Sequence, residues 1–331
     1  MSITGSASYI PTMDEFIAHW AQCNPALSPG SLLVRLLNNT TMSQAQFVTL
    51  RNTLLSRQAT VQDCLTTQQI TRGGINIQKA ALLLQFNQFT NLLDGYFRNT
   101  DFYAARPYAP SITDGQEEFS RPLGDMLSLW ALINAGPAPA GVTLPLVVGE
   151  DIVQGGFASS LSALQFGYSE EKRKVQAVTL ARARRKRVET QAYMVMKSYR
   201  EAVPGRLTAF PELIETMPRL TPLPGHTPAA VNASAVFVAP GSSKIVYDAS
   251  TDAMLQSYQL RGNVGEHYSD EDAVVIATHG PNAAREFVTP FGLNQPGAHV
   301  AFKVFVILTT DNEAGSSALL VERPAEMQLA A

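Results

Sequence analysis

The pentapeptides Trp20-Ala21-Gln22-Cys23-Asn24 and Trp130-Ala131-Leu132-Ile133-Asn134 contain the two tryptophans of the chain and begin 110 residues apart. Moving the sequence by 110 residues without a gap superimposes further identical pairs: Pro29 and Pro139, Leu36 and Leu146, Gln44 and Gln154, Phe47 and Phe157, Leu54 and Leu164, Arg72 and Arg182. Coincidence is the alternative in a chain rich in Leu and Ala. A gapless register over roughly eighty residues that pairs both tryptophans favours an internal duplication.

Each copy is predicted to begin with a short helix. The apolar residues from Phe16 to Trp20 have helical spacing, and those from Met126 to Trp130 repeat it. An extended run follows each helix, Leu32 to Leu37 in the first copy and Val142 to Val148 in the second. We expect these two runs to form a pair of equivalent strands across a pseudo-twofold axis.

A long amphipathic helix is predicted after each extended run. In the first copy the apolar stripe has spacings of three and four; its members are Phe47, Leu50, Leu54, Val61, Leu65, Leu82, Phe86, Phe89 and Leu93. The second copy repeats the stripe and contains no Gly or Pro between Gly167 and Pro204. Gly73-Gly74 either kinks a continuous first helix or turns a hairpin. We expect two long antiparallel helices, packed as in a bundle or coiled coil.

The periodicity changes from 3.6 to 2 residues after a proline-rich segment between Pro204 and Pro228, which is predicted to be a linker with few contacts. Seven short runs follow: Ala233 to Val238, Lys244 to Asp248, Leu255 to Arg261, Ala273 to Thr278, Arg285 to Thr289, Val300 to Thr309 and Ser317 to Val321. Seven runs in about 100 residues are typical of a β-sandwich. In the sixth run, alternate residues from Val300 to Leu308 share one face.

Several segments of this region resemble a fibronectin type III domain: Lys244 to Asp252, Tyr258 to Gly262, Pro296-Gly297 before Phe302-Lys303-Val304, and the closing Asn312 to Ser317. The resemblance covers residues 228–324 and implies an immunoglobulin-like sandwich with Tyr247, Tyr258 and Phe302 as structural residues. Tyr247 stands where the family usually has a tryptophan, and Val300 where its corner tyrosine is expected. The helical part resembles the N-terminal halves of uncharacterised bacterial proteins that carry such a domain.

The predicted fold is a multi-domain α + β arrangement, a duplicated long-helix region followed by a seven-stranded fibronectin type III-like β-sandwich. Its predicted boundaries are residues 1–118 and 119–210 for the helical repeats, 211–227 for the linker, 228–324 for the sandwich and 325–331 for a tail. Trp20 and Trp130 are expected to be equivalent, buried structural residues. The sandwich is expected to fold alone, because its pattern closes a core of its own.

Composition excludes several classes of protein. The 331 residues, 45% of them hydrophobic, are enough for more than one packed core. A net charge of −3 gives no general attraction to nucleic acid or to anionic membranes. The N-terminus lacks the basic and apolar regions of a signal peptide, and no window of 18 apolar residues exists. The expected location is the cytoplasm, or the exterior by a non-classical route.

The sequence offers little for catalysis, and we expect a non-enzymatic protein without a cofactor or a metal. The five histidines are scattered, and none stands in a metalloprotease or hydrolase motif. Cys23 and Cys64 have neither the number nor the spacing for a disulfide framework or a zinc site. Carboxylates between Glu266 and Asp272 offer oxygen ligands to Ca²⁺, but their spacing fits no known loop, so a solvated loop is favoured.

Two features indicate interaction surfaces. Arg184, Arg185 and Arg187 lie in the strongest basic segment, which suits an exposed helix or an acidic protein partner. Nucleic acid is not expected as a partner because no aromatic residues interleave the basic ones. Leu84 and Met194, equivalent by the 110-residue offset, lie about 200° round their helices from the apolar stripe. We expect them to contact a second packing layer, either the short helices or another subunit, and our hypothesis is another subunit.

The expected function is that of a structural or assembly protein, in which a helical stem presents the sandwich and the chain associates with itself. The alternative is a recognition module that binds a protein or a glycan through the sandwich, with the helices as a dimerisation stem. Fold alone does not choose between them.

Overall fold

The computed structural model describes residues 2–27, 30–36 and 40–324. Three sequence features lie outside the described residues: Pro29 of the Pro29/Pro139 pair, Leu37 at the end of the first extended run, and the tail 325–331. The described chain forms two compact units. Unit one comprises the residues up to Thr66 together with those from Ala177 onward, and unit two is Thr67–Gln176. The predicted domain boundaries remain predictions, since independent folding is what defines them.

The helical region contains two long helices with matching bounds. Its elements in chain order are a 3₁₀ turn Ser6–Ser8, α1 Tyr9–Ala26, β1 Val34–Arg35, β2 Thr41–Met42, α2 Gln44–Tyr96, α3 Asp101–Ala104, α4 Gln116–Ala135, β3 Val147–Val148, β4 Ile152–Val153, α5 Gln154–Arg206 and α6 Pro211–Glu215. Both α2 and α5 have 53 residues. Helix α2 continues through Gly73-Gly74, so the hairpin alternative is wrong. Ile75, directly after the glycines, is buried in the core of unit two and anchors this turn of the helix.

The two extended runs do not pair with each other, so the strand pairing expected from the sequence is wrong. Strand β1 pairs with β2, and β3 pairs with β4, each in an antiparallel hairpin of two-residue strands. Each run therefore returns directly to the start of its own long helix. Such local closure needs no partner from the other half of the chain.

The ring contacts of Trp20 and Trp130 show how the helices pack within each unit. In unit one, Trp20 of α1 contacts Phe47 at the start of α2 and Tyr199 near the end of α5. In unit two, Trp130 of α4 contacts Phe157 at the start of α5 and Phe89 near the end of α2. In each unit the two long-helix segments therefore run antiparallel, and both tryptophans are fully buried.

The same hydrogen bonds fix the short helix in both halves. In the first half, Trp20 Nε1 donates to Leu32 O at 3.0 Å, Asn24 Nδ2 donates to Gln44 Oε1 at 2.9 Å, and Leu32 N donates to Asn24 Oδ1 at 3.0 Å. The counterparts in the second half are Trp130 Nε1 to Leu146 O at 3.1 Å, Asn134 Nδ2 to Gln154 Oε1 at 3.2 Å, and Leu146 N to Asn134 Oδ1 at 2.7 Å. The counterpart of Leu146 is thus Leu32, whereas the gapless register pairs it with Leu36.

The C-terminal region is a sandwich of two antiparallel sheets. Its strands are β5 Ala233–Val238, β6 Ser242–Tyr247, β7 Leu255–Val264, β8 Val274–His279, β9 Glu286–Thr289, β10 His299–Leu308, β11 Glu313–Gly315 and β12 Leu319–Glu322. One sheet has the order β5-β6-β9, and the other has β11-β10-β7-β8 with β12 also paired to β10. Tyr247, Tyr258 and Phe302 lie in the core between the sheets. The inward face of β10, from Val300 to Leu308, is fully buried.

The described residues of the sandwich form eight strands, whereas the sequence predicted seven. Each predicted run overlaps a strand, and the additional strand is β11. Ser316 separates β11 from β12 because its N–H donates to Val304 O at 2.8 Å and its hydroxyl accepts from Val304 N at 3.1 Å. The side chain thus occupies a place in the ladder that a backbone carbonyl would otherwise fill.

The proline-rich segment is packed, and the expectation of few contacts is wrong. Leu207 is buried in the helical core of unit one, and Leu213 of α6 packs against that core. Further along, Leu223 N donates to Thr310 O in the sandwich at 2.9 Å. Because apolar residues alternate with the prolines, the segment lies against both parts of unit one.

Candidate functional site at the junction of the helices and the sandwich

The basic segment of α5 meets the acidic loop that precedes β8. Arg182 forms a bidentate pair with Asp272, with Nε–Oδ1 at 2.9 Å and Nη2–Oδ2 at 2.5 Å. Arg185 Nη1 lies 3.5 Å from Asp272 Oδ1, and its Nη2 lies 3.4 Å from Glu271 Oε1. The basic segment and the carboxylate loop singled out in the sequence are therefore partners of each other. The expected solvated loop is wrong for Asp272, whose side chain is buried.

Further polar groups complete this charge cluster, which comprises Arg182, Arg185, Glu189, Glu271 and Asp272. Glu189 lies one turn after Arg185, 3.3 Å from its Nε, and accepts a hydrogen bond from the Ser6 hydroxyl. Arg182, Arg185 and Glu189 share one helix face because they are spaced by three and four residues.

Gln62 of α2 ties the same loop to the sandwich backbone. Its Nε2 donates to Asp272 O at 2.6 Å, and its Oε1 accepts from Val264 N at 3.1 Å. One amide side chain thus satisfies a carbonyl and an N–H of two separate sandwich segments. Helices α2 and α5 both hold the loop before β8.

Burial decides the energetics of the cluster. Arg185 and Asp272 are each 2% exposed, so neither charge is screened by water. The hydrogen bonds from Arg182 to Asp272 raise the pKa of the Arg182 guanidinium. Removal of Asp272 takes away a buried partner that Arg182 and Arg185 share, which costs on the order of 3 kcal/mol. The cluster therefore fixes the sandwich on the helices of unit one.

An apolar groove of about 720 Å³ lies beside the cluster. Its lining includes Ile10, Leu55, Ala59, Val275, Ile276 and Phe291. Arg51 also lines the groove and pairs with Asp14, with Nε–Oδ1 at 2.8 Å and Nη2–Oδ2 at 2.9 Å. A groove of this size with few polar groups suits an apolar side chain or small ligand.

A second polar group is buried in the helical core of unit one. His19 Nδ1 lies 2.7 Å from Tyr199 Oη, and His19 Nε2 lies 2.6 Å from Leu213 O. Cys23 Sγ lies 3.4 Å from Tyr199 Oη. Burial lowers the pKa of His19 and raises the pKa values of Cys23 and Tyr199. Each shift favours the neutral form. The hydrogen bond from His19 to Leu213 O ties α6 to α1.

The predicted interaction residues fall into two environments. Leu84 is 61% exposed and Met194 is 45% exposed, and Arg184 and Arg187 are exposed too. Arg185 is instead buried in the charge cluster. The basic segment thus divides by helix face, with Arg185 turned to the sandwich and its neighbours to solvent.

Sequence reasoning missed Gln62 and Ser6, because uncharged polar residues on a helix or turn give no signal of a partner more than a hundred residues away. Glu189 had a signal, its spacing from Arg185 on one helix face. Among residues 2–27, 30–36 and 40–324, no group of three His, Cys, Asp or Glu side chains comes together as a metal site. No described helix is long and apolar enough to cross a membrane.

No protein-family model and no curated protein matches the chain. Among solved structures, it is similar to an Fn3-like protein from Clostridium thermocellum, with 18% identity over 30% of this chain and 96% of that chain, at a TM-score of 0.24. The fn3 domain of human contactin 1 matches with 12% identity, 34% and 89% coverage, and a TM-score of 0.26. Pectate lyase PelI from Erwinia chrysanthemi matches with 12% identity over 28% of each chain, at 0.24. The C-terminal region itself is a β-sandwich of a three-stranded and a five-stranded antiparallel sheet.

Proposed function

We propose that this chain is a non-enzymatic structural protein whose helices hold the β-sandwich in a fixed position and which associates with itself. The observation that carries the proposal is the buried contact between Arg185 of α5 and Asp272 of the sandwich. A module on a free linker has exposed, solvated charges at its boundary. A chain that buries opposite charges there commits the module to one orientation.

Internal duplication of the helical region is part of this proposal. It is supported by the equal lengths of α2 and α5 and by the matching hydrogen bonds around Trp20 and Trp130. A duplicated pair of helices presents similar surfaces twice. Leu84 and Met194, equivalent in the duplication, are both exposed apolar residues. Such surfaces favour association with further copies.

The test is the double variant Leu84→Asp with Met194→Asp. The native chain is expected to scatter light as an oligomer, and the double variant should keep its helical circular dichroism and lose mass. The matched control adds the same charges at exposed polar positions, Asn76→Asp with Thr190→Asp, and should keep the native mass. A native chain that stays monomeric at high concentration contradicts self-association, and an unchanged mass in the double variant contradicts these two surfaces.

The apolar groove favours a second candidate, a recognition module that takes an apolar group of a protein or glycan partner between the sandwich and α2. A fluorescent apolar probe, anilinonaphthalene sulfonate, is expected to bind the native chain, and Leu55→Asp should abolish the binding. Binding that persists in Leu55→Asp excludes the groove as the site. Ligand-dependent stabilisation of a small oligomer would favour this candidate over a structural role.

A further inference from the structure

We infer that a second copy of this chain covers the exposed face of α2 from Ile70 to Leu84, in an antiparallel pair of α2 helices with a twofold axis at Ile77. The inference rests on the proposed self-association and adds its surface and its register. The face belongs wholly to unit two.

Three large apolar residues form this face. Ile70 is 54%, Ile77 73% and Leu84 61% exposed. At a spacing of seven residues they drift only about 20° per step round an α-helix and so form one stripe. The buried residues Ile75 and Leu82 lie about 120–140° from Ile70 on the other side of the helix. One exposed leucine is ordinary, but a seven-residue repeat is the pattern of a helix–helix seam.

The face is uncharged. Between Asp63 and Asp94 the only charged residues are Arg72 and Lys79. Lys79 is buried, and its Nζ donates to Ile112 O and Asp114 O at 2.7 Å each. Arg72 Nε donates to Glu171 Oε1 at 3.0 Å. The stripe therefore carries nothing that selects a charged partner and nothing that repels a copy of itself.

The stripe also has small residues and large apolar residues at the same distances on either side of Ile77. A twofold contact requires this symmetry. From Ile77, Gly73-Gly74 and Ala80-Ala81 lie three and four residues away on either side, and Ile70 and Leu84 lie seven away. An antiparallel copy therefore places Ile77 against its own counterpart and Ile70 against Leu84. The glycines and alanines between them allow the two backbones to approach closely. Such an isologous contact is the commonest type in homodimers.

The equivalent face of α5 lacks this self-complementarity. By the 110-residue offset, Leu180 and Met194 correspond to Ile70 and Leu84, but Arg187 takes the central place of Ile77. Arg184 replaces Gly74. A twofold contact there sets two arginine side chains against each other, and like charges destabilise a contact. The comparison selects α2 as the pairing helix.

Cysteine cross-linking tests both the surface and its register in the full chain. The parent variant is Cys64→Ser, which leaves only the buried Cys23. In helices packed 8–10 Å apart, facing Cα atoms come within the 4.4–6.8 Å that a disulfide spans. Ile77→Cys should form a covalent dimer when diamide oxidises the two thiols. The matched control Asn76→Cys, exposed but about 100° round the helix, should not.

A second cross-linking experiment tests the antiparallel register. Ile70→Cys alone should not cross-link, whereas a mixture of Ile70→Cys and Leu84→Cys chains should give the mixed dimer. Cross-linking of Ile70→Cys alone indicates parallel pairing and overturns the inference, as does equal cross-linking of Asn76→Cys and Ile77→Cys. An oligomer by light scattering without any Ile77→Cys dimer overturns the inference and leaves self-association standing. A monomeric chain overturns both.

Discussion

At the same place in the two helical halves, each long helix buries a charged side chain, but the sign and the partners differ. Lys79 of α2 donates to two backbone carbonyls of the segment that precedes α4. Glu189 of α5, 110 residues later, lies against Arg185 and accepts from Ser6, which precedes α1. The two halves have the same arrangement of helices. Of these two residues, only Glu189 belongs to a network of charged residues that reaches the sandwich.

A second difference lies beneath the tryptophans. Unit one has the polar group His19, Cys23 and Tyr199, whereas the residues 110 positions away in unit two are Leu129, Ile133 and Phe89, all buried. An apolar core is therefore sufficient for this arrangement of helices. The polar group of His19, Cys23 and Tyr199 occurs in the unit whose core also contacts α6. His19 makes that contact through its hydrogen bond to Leu213 O.

The largest effect on stability is expected from the two tryptophans, which have the same contacts in both halves. Trp20→Ala and Trp130→Ala each remove a fully buried indole and the hydrogen bond to the following extended run. Each should lower the free energy of unfolding by about 3–5 kcal/mol, measured by chemical denaturation. Similar losses at both sites support equivalence of the halves. A silent Trp→Ala variant at one site contradicts it.

A smaller but still large effect is expected from the charge cluster that connects α5, but not the second half of α2, to the sandwich. Asp272→Ala removes the shared partner of Arg182 and Arg185. Arg185 keeps Glu189 and Glu271, so the cost should be at the lower end of the range for a broken buried pair, about 3 kcal/mol. Lys79→Met should cost only about 1–3 kcal/mol, because it leaves two carbonyls without a donor but no unpaired charge. Asp270→Ala, an exposed position in the same loop, is the control. Equal losses for Asp272→Ala and Asp270→Ala contradict the buried network.

The polar group of unit one should make stability depend on pH. Burial lowers the pKa of His19, so the folded chain binds its proton less readily than the unfolded chain. The contribution is full above the unfolded pKa of about 6.5 and is lost as pH falls towards the folded pKa. The triple variant His19→Leu, Cys23→Ile, Tyr199→Phe copies unit two and should show a weaker loss of stability between neutral and mildly acidic pH. An identical pH profile would rule out His19 as the source.

The mildest effect is expected from separation of the sandwich. A fragment from Thr227 onward should fold alone with β-type circular dichroism and a cooperative melt, because the core around Tyr258 and Phe302 is closed within it. Without the helices, Asp272 becomes solvated and needs no partner. An unfolded fragment would show that the sandwich depends on the helices for its fold.

The helical periodicity predicted the long helices because one apolar stripe continues through each. The repeat of Trp20 at Trp130 predicted that the two long helices have corresponding positions in the chain. Alternation likewise predicted the strands of the sandwich. The pairing of Arg185 with Asp272 was beyond prediction, since a charge pair between distant residues leaves no period in the sequence. The extra strand β11 was missed for a similar reason, because Ser316 interrupts the ladder through its side chain and not through a proline or glycine.

The account depends most on the claim that the charge cluster around Asp272 fixes the sandwich to the helices. The rotational correlation time of sandwich amides, measured by NMR relaxation in the full chain and in the fragment from Thr227, tests this claim most directly. The sandwich amides of the full chain should tumble with the amides of α5 near Arg185, much more slowly than those of the fragment. Tumbling at the rate of the free fragment would contradict the claim.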